Sequence, residues 1–521
     1  MNVYRHLLVL CLVIFGSDAY RILAVFPFNS RSHNNMFEGV AKGLAKGGHQ
    51  VDVVTHFEMK NPPKNYKIII NLGGTRKSLV NNFSIQFAAL LEGNTVELIS
   101  KLYGNELCEL LALEEMQNLI KNPPSDPPYD ILITEAFTAN CFVGLGYALK
   151  VPVITVSSTL EFSWLDAGNL DSAAFAPNVL MHKAEICSFW DRLQNTIMIH
   201  RSKYEYYIYT GEVQTEAMRK YLSPGIPHVR EVERNVALTF VNSYHSLHGI
   251  RIRSPSLIDI AGIHLEHGHT EMSQDLQNWM DESKDGVVYF TLGSMVIIET
   301  LPKETLLTIY ASFSKIKPVR VLMKIVNTEN LPPGLPSNVI VSKWIPQIIV
   351  LKHNNTRLFM THGGLISTQE ALYHGVPLIG FPLFGDQQHN IQLFVKKNMA
   401  LSLDYRSLTE KSLDDALNAV LTNPLYRESA NYESRLFRDR PMSATKTVNF
   451  WVEYVIRNGP DALKSPAVDM YWWEIALLDV YSFILLSFFL IIYFAILITK
   501  YACCVFVRTS GNLEVEKQKD E

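Results

Sequence analysis

The sequence predicts an α/β protein made of two doubly wound, parallel-sheet halves and one C-terminal transmembrane helix. Three observations support this prediction. Short apolar runs alternate with amphipathic helical segments in both halves, which is typical of parallel sheets covered by helices. Glycines follow several of these runs, where a strand turns into a helix. Residues 480–499 contain no charged residue and are long enough to cross ~30 Å of hydrocarbon.

The N-terminus has the pattern of a secretory signal peptide, which we assign to residues 1–19. Arg5 and His6 precede an apolar stretch at residues 7–15, and small residues lead to Ala19. The apolar stretch is too short to span a bilayer. A strand pattern begins at Arg21, which argues against the alternative of a buried first helix.

Residues 20–263 form the predicted N-terminal domain. A strand is expected at residues 21–28, followed by a polar loop and an amphipathic helix that ends near Lys46. Further strands are predicted at 51–55, 68–71, 130–134 and 153–156. The aromatic-rich segment 189–210 contains Tyr204, Tyr206, Tyr207 and Tyr209. It could line an apolar pocket or touch a membrane surface, but ordinary helix packing is the preferred interpretation.

Residues 264–273 are polar and lack periodicity, and we interpret them as an exposed linker. His264, His267 and His269 lie within this segment and could suggest a metal site. The sequence offers no acidic or cysteine partner at a useful spacing, so no metal site is predicted.

The second domain is predicted at residues 274–446. It begins with a buried strand that ends at Gly293 and Ser294, and further strands are expected at 319–324 and 339–342. Residues 447–479 comprise an apolar helix, predicted at 447–457, and a segment that leads to the membrane.

Residues 344–390, which we name the donor segment, carry the most informative pattern. Two short apolar strands, at 358–360 and 376–381, flank a helix predicted at 367–373 that follows Gly363 and Gly364. Glycines at such a turn let an anion approach the backbone, and the N–H groups of a helix N-terminus favour phosphate.

Other side chains of the donor segment suit the remaining parts of a nucleotide sugar. The Trp344 indole offers a stacking face, and the Gln347 amide can read the edge of a base. Glu370, expected on the first turn of the helix, suits the two hydroxyls of a ribose. Asp386 and Gln387 follow an apolar strand and suit the hydroxyls of a sugar. A generic α/β turn would explain any one of these fragments, but not the ordered set.

With these residues in this order, the chain resembles the UDP-glycosyltransferases, and in particular the membrane-bound animal members of insect type. The resemblance covers essentially the whole mature chain. It implies a GT-B fold, in which two Rossmann-like domains face each other across a cleft. The donor would bind the second domain and the acceptor the first, with the helix 447–457 crossing back to the first domain. The chain departs from the family at Ile366, where many members have an asparagine that could contact phosphate.

The resemblance also assigns roles within the donor site. Trp344 would stack on uracil and Gln347 would contact it, while Glu370 would bind the ribose. Asp386 and Gln387 would hold the sugar hydroxyls. The diphosphate would be held by His362, Gly363, Gly364 and Ser367, and the backbone near Ser294 would help to stabilise the charge of the leaving group.

His33 is the predicted catalytic base, because it lies in the loop after the first strand and matches the catalytic histidine of the family. In the family an aspartate orients this histidine. The matching stretch places Glu135 at that position, and Asp130, at the start of the same strand, is the rival. We therefore predict a His33–Glu135 pair, with an ordinary surface or capping acid as the alternative.

The expected reaction is an inverting, metal-independent transfer of a sugar from a UDP-sugar to a hydroxyl of a small lipophilic acceptor. No Asp-x-Asp motif occurs in the chain, so no metal site is predicted, and the UDP-sugar is a co-substrate instead of a cofactor. Glucose is the expected sugar, and glucuronate stays open. The alternatives are an inert relative that binds UDP-sugar or lipophiles, and a membrane-tethered carrier.

The C-terminal segments predict a type I single-span membrane protein with its domains in the lumen. Trp472 and Trp473 precede the span at 480–499, where aromatic residues favour the membrane interface. Basic residues follow it in the tail, residues 500–521, which the positive-inside rule places in the cytosol. Lys517 and Lys519 resemble a dilysine signal for retrieval to the endoplasmic reticulum; a solvated charged tail is the alternative.

The remaining composition excludes some classes of partner. The net charge of −4 gives no reason to expect nucleic acid, and an oligomer remains open. Three cysteines, Cys108, Cys141 and Cys187, lie in the mature lumenal part, and this odd number indicates no disulfide framework. Sequons occur at Asn82 and Asn354. The second lies within the donor segment, so its glycosylation is not expected.

Overall fold

The computed structural model describes residues 19–160, 162–164, 172–267 and 271–517. The predicted signal peptide, apart from Ala19, and Lys519 of the predicted dilysine signal lie outside these residues. The described chain forms two compact units, one up to Ser465 and one from Pro466.

The first unit contains two parallel sheets. The N-terminal sheet has seven strands in the order β3-β2-β1-β4-β5-β6-β7, and the second has six in the order β10-β9-β8-β11-β12-β13. The strands are β1 Arg21–Phe26, β2 Gln50–Thr55, β3 Tyr66–Asn71, β4 Ile131–Glu135, β5 Val153–Ser157, β6 Val236–Val241, β7 Leu257–Asp259, β8 Val287–Thr291, β9 Arg320–Lys324, β10 Val339–Ser342, β11 Thr356–Thr361, β12 Leu378–Gly380 and β13 Ala400–Ser402.

Helices connect the strands of both sheets. Those of the N-terminal domain are α1 Arg31–Lys46, α2 Ile85–Gly93, α3 Thr95–Tyr103, α4 Glu114–Lys121, α5 Gly144–Leu149, α6 Phe189–Tyr221, α7 Val229–Glu233 and α8 His245–His248. Those that follow are α9 Gln274–Glu282, α10 Lys303–Lys315, α11 Gln347–Lys352, α12 Leu365–Tyr373, α13 Gln387–Lys396, α14 Glu410–Thr422, α15 Pro424–Arg438, α16 Ala444–Asn458, α17 Trp472–Ile475 and α18 Leu478–Lys517. Short 3-10 helices lie at Asn105–Ala112, Asn140–Val143, Ile263–Leu265, Ile298–Thr300, Thr328–Asn330, Tyr405–Ser407 and Pro466–Asp469.

The strand order places a crevice at the carboxyl ends of the strands in each sheet. In the first sheet, β1 is followed in sequence by β2 on one side and lies beside β4 on the other, so the chain switches direction between β1 and β4. The same switch occurs between β8 and β11 in the second sheet. Parallel sheets bind ligands beyond the carboxyl ends of strands at such points. The predicted α/β architecture of two Rossmann-like domains is confirmed.

Helix α16 returns from the second domain and packs on the first. Val448 and Val452 are buried in the same apolar cluster as Phe37 and Leu44 of α1. The Asn449 Nδ2 group also donates a hydrogen bond to the Gly43 carbonyl at 3.1 Å. This contact agrees with the crossing helix predicted at residues 447–457, although the observed helix is longer at its N-terminal end.

The absence of a disulfide, expected from the odd number of cysteines, is wrong. Cys108 and Cys141 are joined by a disulfide with a Cα–Cα distance of 6.0 Å, and Cys187 is a free, exposed cysteine. The two bonded cysteines lie on neighbouring 3-10 helices that are buried together against the N-terminal sheet. An odd count therefore left one pair and one single thiol.

The second unit is dominated by α18, which contains the whole of the predicted span at 480–499. Within the described residues, the segment Leu478–Thr509 of this helix is long and apolar enough to cross a membrane. The aromatic residues Trp472 and Trp473 begin α17, just before it.

Candidate active site

The structure brings His33 and Glu135 together, as the sequence predicted. His33 is in the first turn of α1, and Glu135 is the last residue of the adjacent strand β4. The His33 Nδ1 atom lies 2.7 Å from Glu135 Oε1. Asp130, the rival, precedes β4, and its Oδ2 atom accepts a hydrogen bond from the Arg21 backbone N–H at 2.7 Å. Asp130 therefore lies at the opposite end of the strand from His33.

Ser158 is a further partner of His33 that the sequence did not indicate. Its Oγ atom lies 2.6 Å from His33 Nδ1, because Ser158 directly follows β5, the strand next to β4. Its own carbonyl accepts a hydrogen bond from Asn242 Nδ2 at 2.8 Å. When the Nδ1 proton is donated towards Glu135 and Ser158, the Nε2 atom keeps a free electron pair and can act as a base.

The surroundings of His33 are apolar and aromatic. The rings of Phe28 and Phe137 meet the imidazole edge to face, with centroids 4.6 Å and 5.0 Å away. Burial raises the pKa of Glu135, and its hydrogen bond and charge interaction with His33 oppose that rise. A protonated imidazole would therefore stabilise the buried carboxylate, which is the charge balance that a base needs after it accepts a proton.

An aromatic series continues from this pair into the N-terminal domain. The Phe137 and Phe162 rings lie 5.8 Å apart, Phe162 stacks on Trp164 at 4.4 Å, and Trp164 stacks on Tyr206 at 5.3 Å. Tyr206 of α6 is fully buried, which agrees with helix packing, whereas Tyr204 is exposed. His33 therefore packs against one end of a buried aromatic cluster.

A cavity of about 530 Å³ lies between the two domains beside the residues predicted to hold the sugar. It is lined by Ile197 and Leu193 of α6 and Val96 of α3 from the first domain, and by Phe384 and Gly385 from the second. Gly385 directly precedes Asp386.

Asp386 and Gln387 lie at the start of α13, beyond the carboxyl end of β12. Burial raises the pKa of Asp386, and smaller contributions from the Asn390 hydrogen bond and the charge of His33 lower it. The charge of His33, in the first domain, is thus one of the influences on the pKa of the Asp386 carboxyl. Gln387 uses its Oε1 atom to accept hydrogen bonds from the backbone N–H groups of Leu383 and Phe384, so this side chain also holds the loop in place.

Glu370 is buried at the centre of a polar network. Gln347 Nε2 donates hydrogen bonds to Glu370 Oε2 at 2.6 Å and to Ser367 Oγ at 3.1 Å. The Tyr289 hydroxyl donates to Gln347 Oε1 at 3.2 Å. Burial raises the pKa of Glu370 to about 7, and the Gln347 hydrogen bond opposes this. The Gln347 side chain therefore orients Glu370 in this structure, a role that the sequence did not predict.

Two sequence expectations about this region are corrected. Helix α12 begins at Leu365, so Glu370 lies on its second turn instead of the first. His264 is buried, with its Nε2 atom 3.7 Å from Glu370 Oε1, so the interpretation of this residue as part of an exposed linker is wrong. The chain between the domains passes close to the donor segment because a 3-10 helix, Ile263–Leu265, packs against α1.

His362, Gly363 and Gly364 lie between β11 and the N-terminus of α12. The His362 ring fits between two glycines: an added Cβ would come within 2.5 Å of it at Gly293 and within 2.6 Å at Gly364. Burial lowers the pKa of His362 to about 4, with a smaller contribution from Lys324. His362 is therefore neutral at pH 7 and can donate one hydrogen bond. The first N–H groups of α12 lie beside it, and such groups at a helix N-terminus suit an anion.

The structure gives a reason for the isoleucine at position 366, where many family members have an asparagine. Ile366 is buried in the apolar cluster that contains Phe37 of α1 and Val448 of α16. At this position the chain replaces a polar group with a packing contact between the domains.

Lys324 is a functional candidate that the sequence analysis missed. It ends β9, is 7% exposed, and its Nζ atom donates hydrogen bonds to Asn81 Oδ1 and to the Gly293 carbonyl, both at 2.7 Å. The ammonium also lies 5.7 Å from the centre of the Trp344 ring, which is half exposed. Burial lowers the pKa of Lys324 to about 8. A cation therefore lies near the predicted stacking residue, and its charge also acts on His362.

Ser294 follows Gly293 in the loop after β8. Asn354 lies at the opposite end of the strands from this loop. Asn354 is exposed in the turn before β11, at the amino end of that strand, whereas His362 follows its carboxyl end. The position of Asn354 within the donor segment therefore does not bring it close to His362, and its glycosylation stays a separate question from the site.

Comparison with known proteins agrees with this geometry. A family model described as "UDP-glucoronosyl and UDP-glucosyl transferase" matches residues 28–513. UDP-glucosyltransferase 2 of Dactylopius coccus is 34% identical over 498 residues, covering 94% of this chain and 93% of that protein. UDP-glucuronosyltransferase 2C1 of Oryctolagus cuniculus is 32% identical over 385 residues, covering 73% and 74%.

Solved structures share the fold at lower identity. The glycosyltransferase VinC in complex with DTDP has a TM-score of 0.56 at 17% identity, with 84% of this chain and 100% of that chain covered. The glycotransferase of kitacinnamycin has a TM-score of 0.54 at 17% identity, with 84% and 98% covered. These neighbours support the GT-B arrangement of the two domains.

Proposed function

Because this chain belongs to the family of UDP-glucuronosyl and UDP-glucosyl transferases, we propose that it transfers glucose from UDP-glucose to a hydroxyl of a small lipophilic acceptor, with inversion and without a metal ion. The observation that carries this proposal is the position of the His33–Glu135 pair. The charge of His33 also contributes to lowering the pKa of Asp386 in the second domain, which supports an arrangement in which both groups act on one substrate.

In the proposed reaction, His33 Nε2 removes the proton of the acceptor hydroxyl as its oxygen attacks the anomeric carbon of the sugar. Glu135 and Ser158 hold the imidazole by its Nδ1 atom. The buried Glu135 carboxylate stabilises the imidazolium that forms, and the bond between the sugar and the β-phosphate breaks.

Inversion is supported by the hydrogen-bond partners of Glu135 and Asp386, the two carboxylates assigned to the reaction site. Glu135 is bound to His33, and Asp386 accepts a hydrogen bond from Asn390 Nδ2 at 2.9 Å. A single displacement needs one base, which His33 supplies, and no covalent sugar intermediate.

The donor would extend from Trp344 to Asp386. Uracil would stack on Trp344 beside Gln347, the ribose hydroxyls would donate to Glu370, and Asp386 with Gln387 would hold the sugar hydroxyls. The diphosphate would contact His362, Ser367, Ser294 and the backbone after Gly363 and Gly364. Lys324 would supply a fixed positive charge for the leaving UDP, and an existing cation at this place removes the need for a metal.

Two features support the choice of substrates. Asp386 and Gln387 suit uncharged sugar hydroxyls, and the relative from Dactylopius coccus bears the name of a glucosyltransferase. The cavity beside Phe384, lined in part by Val96, Leu193 and Ile197, offers apolar surface for a small lipophilic acceptor.

The product decides between inversion and retention. UDP-glucose carries an α-linked sugar, so the protein should form a β-glucoside from a phenol, with the anomeric configuration read by NMR. An α-glucoside would instead require a double displacement with Asp386 as nucleophile and would contradict the proposal. UDP-glucuronate, offered in competition at equal concentration, should be the poorer donor.

We also propose that α18 anchors the protein in the endoplasmic reticulum membrane with its domains in the lumen. The apolar segment Leu478–Thr509 and the basic residues that follow it support this. Changing Lys517 and Lys519 to Ser in the full chain should release it to later compartments. Unchanged retention would contradict the dilysine assignment.

A further inference from the structure

A loop of the N-terminal domain is hydrogen bonded to the loop after β8 in the second domain, which carries Ser294. We name residues 79–84 the bridging loop. The Asn81 N–H donates to the Ser294 carbonyl at 2.8 Å, and the Asn82 and Phe83 N–H groups donate to the Met295 carbonyl at 3.0 Å and 2.9 Å. Phe83 also forms a parallel β-bridge with Val296. The segment that carries Ser294 is therefore held by the opposite domain.

The side chain of Asn81 extends this contact into the donor site. Its Oδ1 atom accepts a hydrogen bond from Lys324 Nζ at 2.7 Å, while the Gly293 carbonyl accepts a second one. An ammonium group has three N–H bonds, so one more can be donated to a ligand oxygen. Two acceptors, one from each domain, thus fix the direction of the third.

The backbone of Asn81 is shaped for this contact. Its φ of +51° lies in the left-handed region, which asparagine tolerates better than most residues. Within the bridging loop, Asn81 is the residue whose side chain reaches Lys324, and it is also the residue with this uncommon φ.

We propose that Asn81 is a positioning residue that holds the Lys324 ammonium towards the diphosphate of a UDP-sugar, so that the acceptor domain completes the donor site. This inference rests on the proposed function. Lys324 is the group that would touch the diphosphate, and Asn81 acts through it.

The charge balance around Lys324 explains why an acceptor is needed there. Burial lowers the pKa of Lys324 to about 8, and the carboxylate of Glu299 opposes this from the 3-10 helix Ile298–Thr300. His362, at the end of β11, is neutral and adds no negative charge. The Asn81 oxygen stabilises the charged form of Lys324 by hydrogen bonding. Loss of the Asn81 side chain should therefore lower the fraction of Lys324 that is protonated, without unfolding either domain.

The test uses the full-length protein and three variants. Asn81→Gly removes the side chain but keeps the left-handed backbone, because glycine adopts positive φ without strain. Asn81→Asp keeps an acceptor and adds a negative charge. Asn61→Gly is the matched control, since Asn61 is exposed and also has a positive φ of 54°.

Calorimetry with UDP-glucose gives the first readout. Asn81→Gly should weaken binding roughly ten- to a hundredfold, as expected for loss of a hydrogen bond to a charged group, and Asn61→Gly should bind like the wild type. Asn81→Gly should raise KM for UDP-glucose while KM for the acceptor stays the same. Unchanged UDP-glucose affinity, or a fall in kcat alone, would overturn the inference.

The pH dependence gives a second readout that a purely structural role would not move. Wild-type affinity should fall as pH rises through about 8, because Lys324 loses its proton. The midpoint should move to lower pH in Asn81→Gly and to higher pH in Asn81→Asp. Equal midpoints in all three proteins would overturn the inference. If the wild type itself fails to bind UDP-glucose, the proposed function fails, which is a separate result.

Discussion

His33 Nδ1 and Glu135 Oε1 lie 2.7 Å apart, and both side chains are largely buried between β1, β4 and the start of α1. Glutamate has one methylene more than the aspartate expected from the family, and its carboxylate still lies within hydrogen-bonding distance of His33. This geometry fixes which nitrogen of the imidazole faces the cleft.

Replacing Glu135 with Gln should lower kcat by about 10²–10⁴ and leave UDP-glucose affinity nearly unchanged. The amide cannot stabilise an imidazolium, and general-base catalysis contributes a factor of this size. Steady-state kinetics and calorimetry measure the two quantities. Asp130→Asn is the control: Asp130 lies at the other end of β4, so kcat should stay within about threefold of the wild type. A variant Glu135→Gln with full kcat would show that the pair is misassigned.

UDP-glucose affinity should increase as pH rises towards about 7. In the protein without ligand, burial raises the pKa of the Glu370 carboxyl to about 7. In the proposed complex, ribose hydroxyls donate hydrogen bonds to its ionised form. Binding therefore lowers this pKa, releases protons below pH ~7 and gains affinity until Glu370 is ionised.

Glu370→Gln should remove this rise and weaken binding by about 1.5–3 kcal/mol, roughly ten- to a hundredfold. Calorimetry in buffers of different ionisation enthalpy would detect the released protons. UDP-glucose is preferable to UDP, because its diphosphate has no ionisation in this range. An identical pH profile in the variant would exclude Glu370 as the titrating group.

Turnover should not require a divalent metal. The sequence has no Asp-x-Asp motif, and Lys324 already places a cation near His362. The rate of UDP release in EDTA should equal the rate in added Mg²⁺ or Mn²⁺. Activity that disappears in EDTA and returns with Mn²⁺ would contradict this expectation.

Loss of the Cys108–Cys141 disulfide should destabilise the N-terminal domain by about 3–4 kcal/mol. The bond closes a loop with a sequence separation of 33 residues, and the chain-entropy model gives a value of this size. Denaturant unfolding of Cys108→Ala and of the oxidised wild type would measure the difference. Cys187→Ala is the control, because Cys187 is exposed and forms no disulfide. Equal midpoints for Cys108→Ala and the wild type would contradict the assignment of a stabilising role.

The sequence predicted those elements whose signal is local. The strands β1, β2, β8 and β11 are apolar runs ended by polar or glycine residues, and the positions of His33 and His362 follow directly from their carboxyl ends. Strands β6, β7 and β13 were missed. Strands β7 and β13 are three residues long at the edges of their sheets, too short to show periodicity, whereas β6 is a six-residue apolar run that was not recognised as a strand.

The missed site residues depend on contacts distant in sequence. Lys324 ends an ordinary strand, and only the fold brings it to Asn81, 243 residues earlier. Ser158 reaches His33 because β5 lies beside β4. His264 was taken as exposed because polar residues surround it, whereas the packing of Ile263–Leu265 on α1 buries it. Disulfide pairing likewise cannot be deduced from a count of cysteines.

The most direct test of His33 as the catalytic base is UDP release from UDP-glucose in the presence of a panel of phenols, measured for the wild type and His33→Ala together. The wild type should release UDP in an acceptor-dependent manner. His33→Ala should bind UDP-glucose normally and be slower by about 10²–10⁴. A wild type that binds UDP-glucose without turnover, or a His33→Ala variant with the full rate, would contradict the assignment of His33 as the base of a glycosyl transfer.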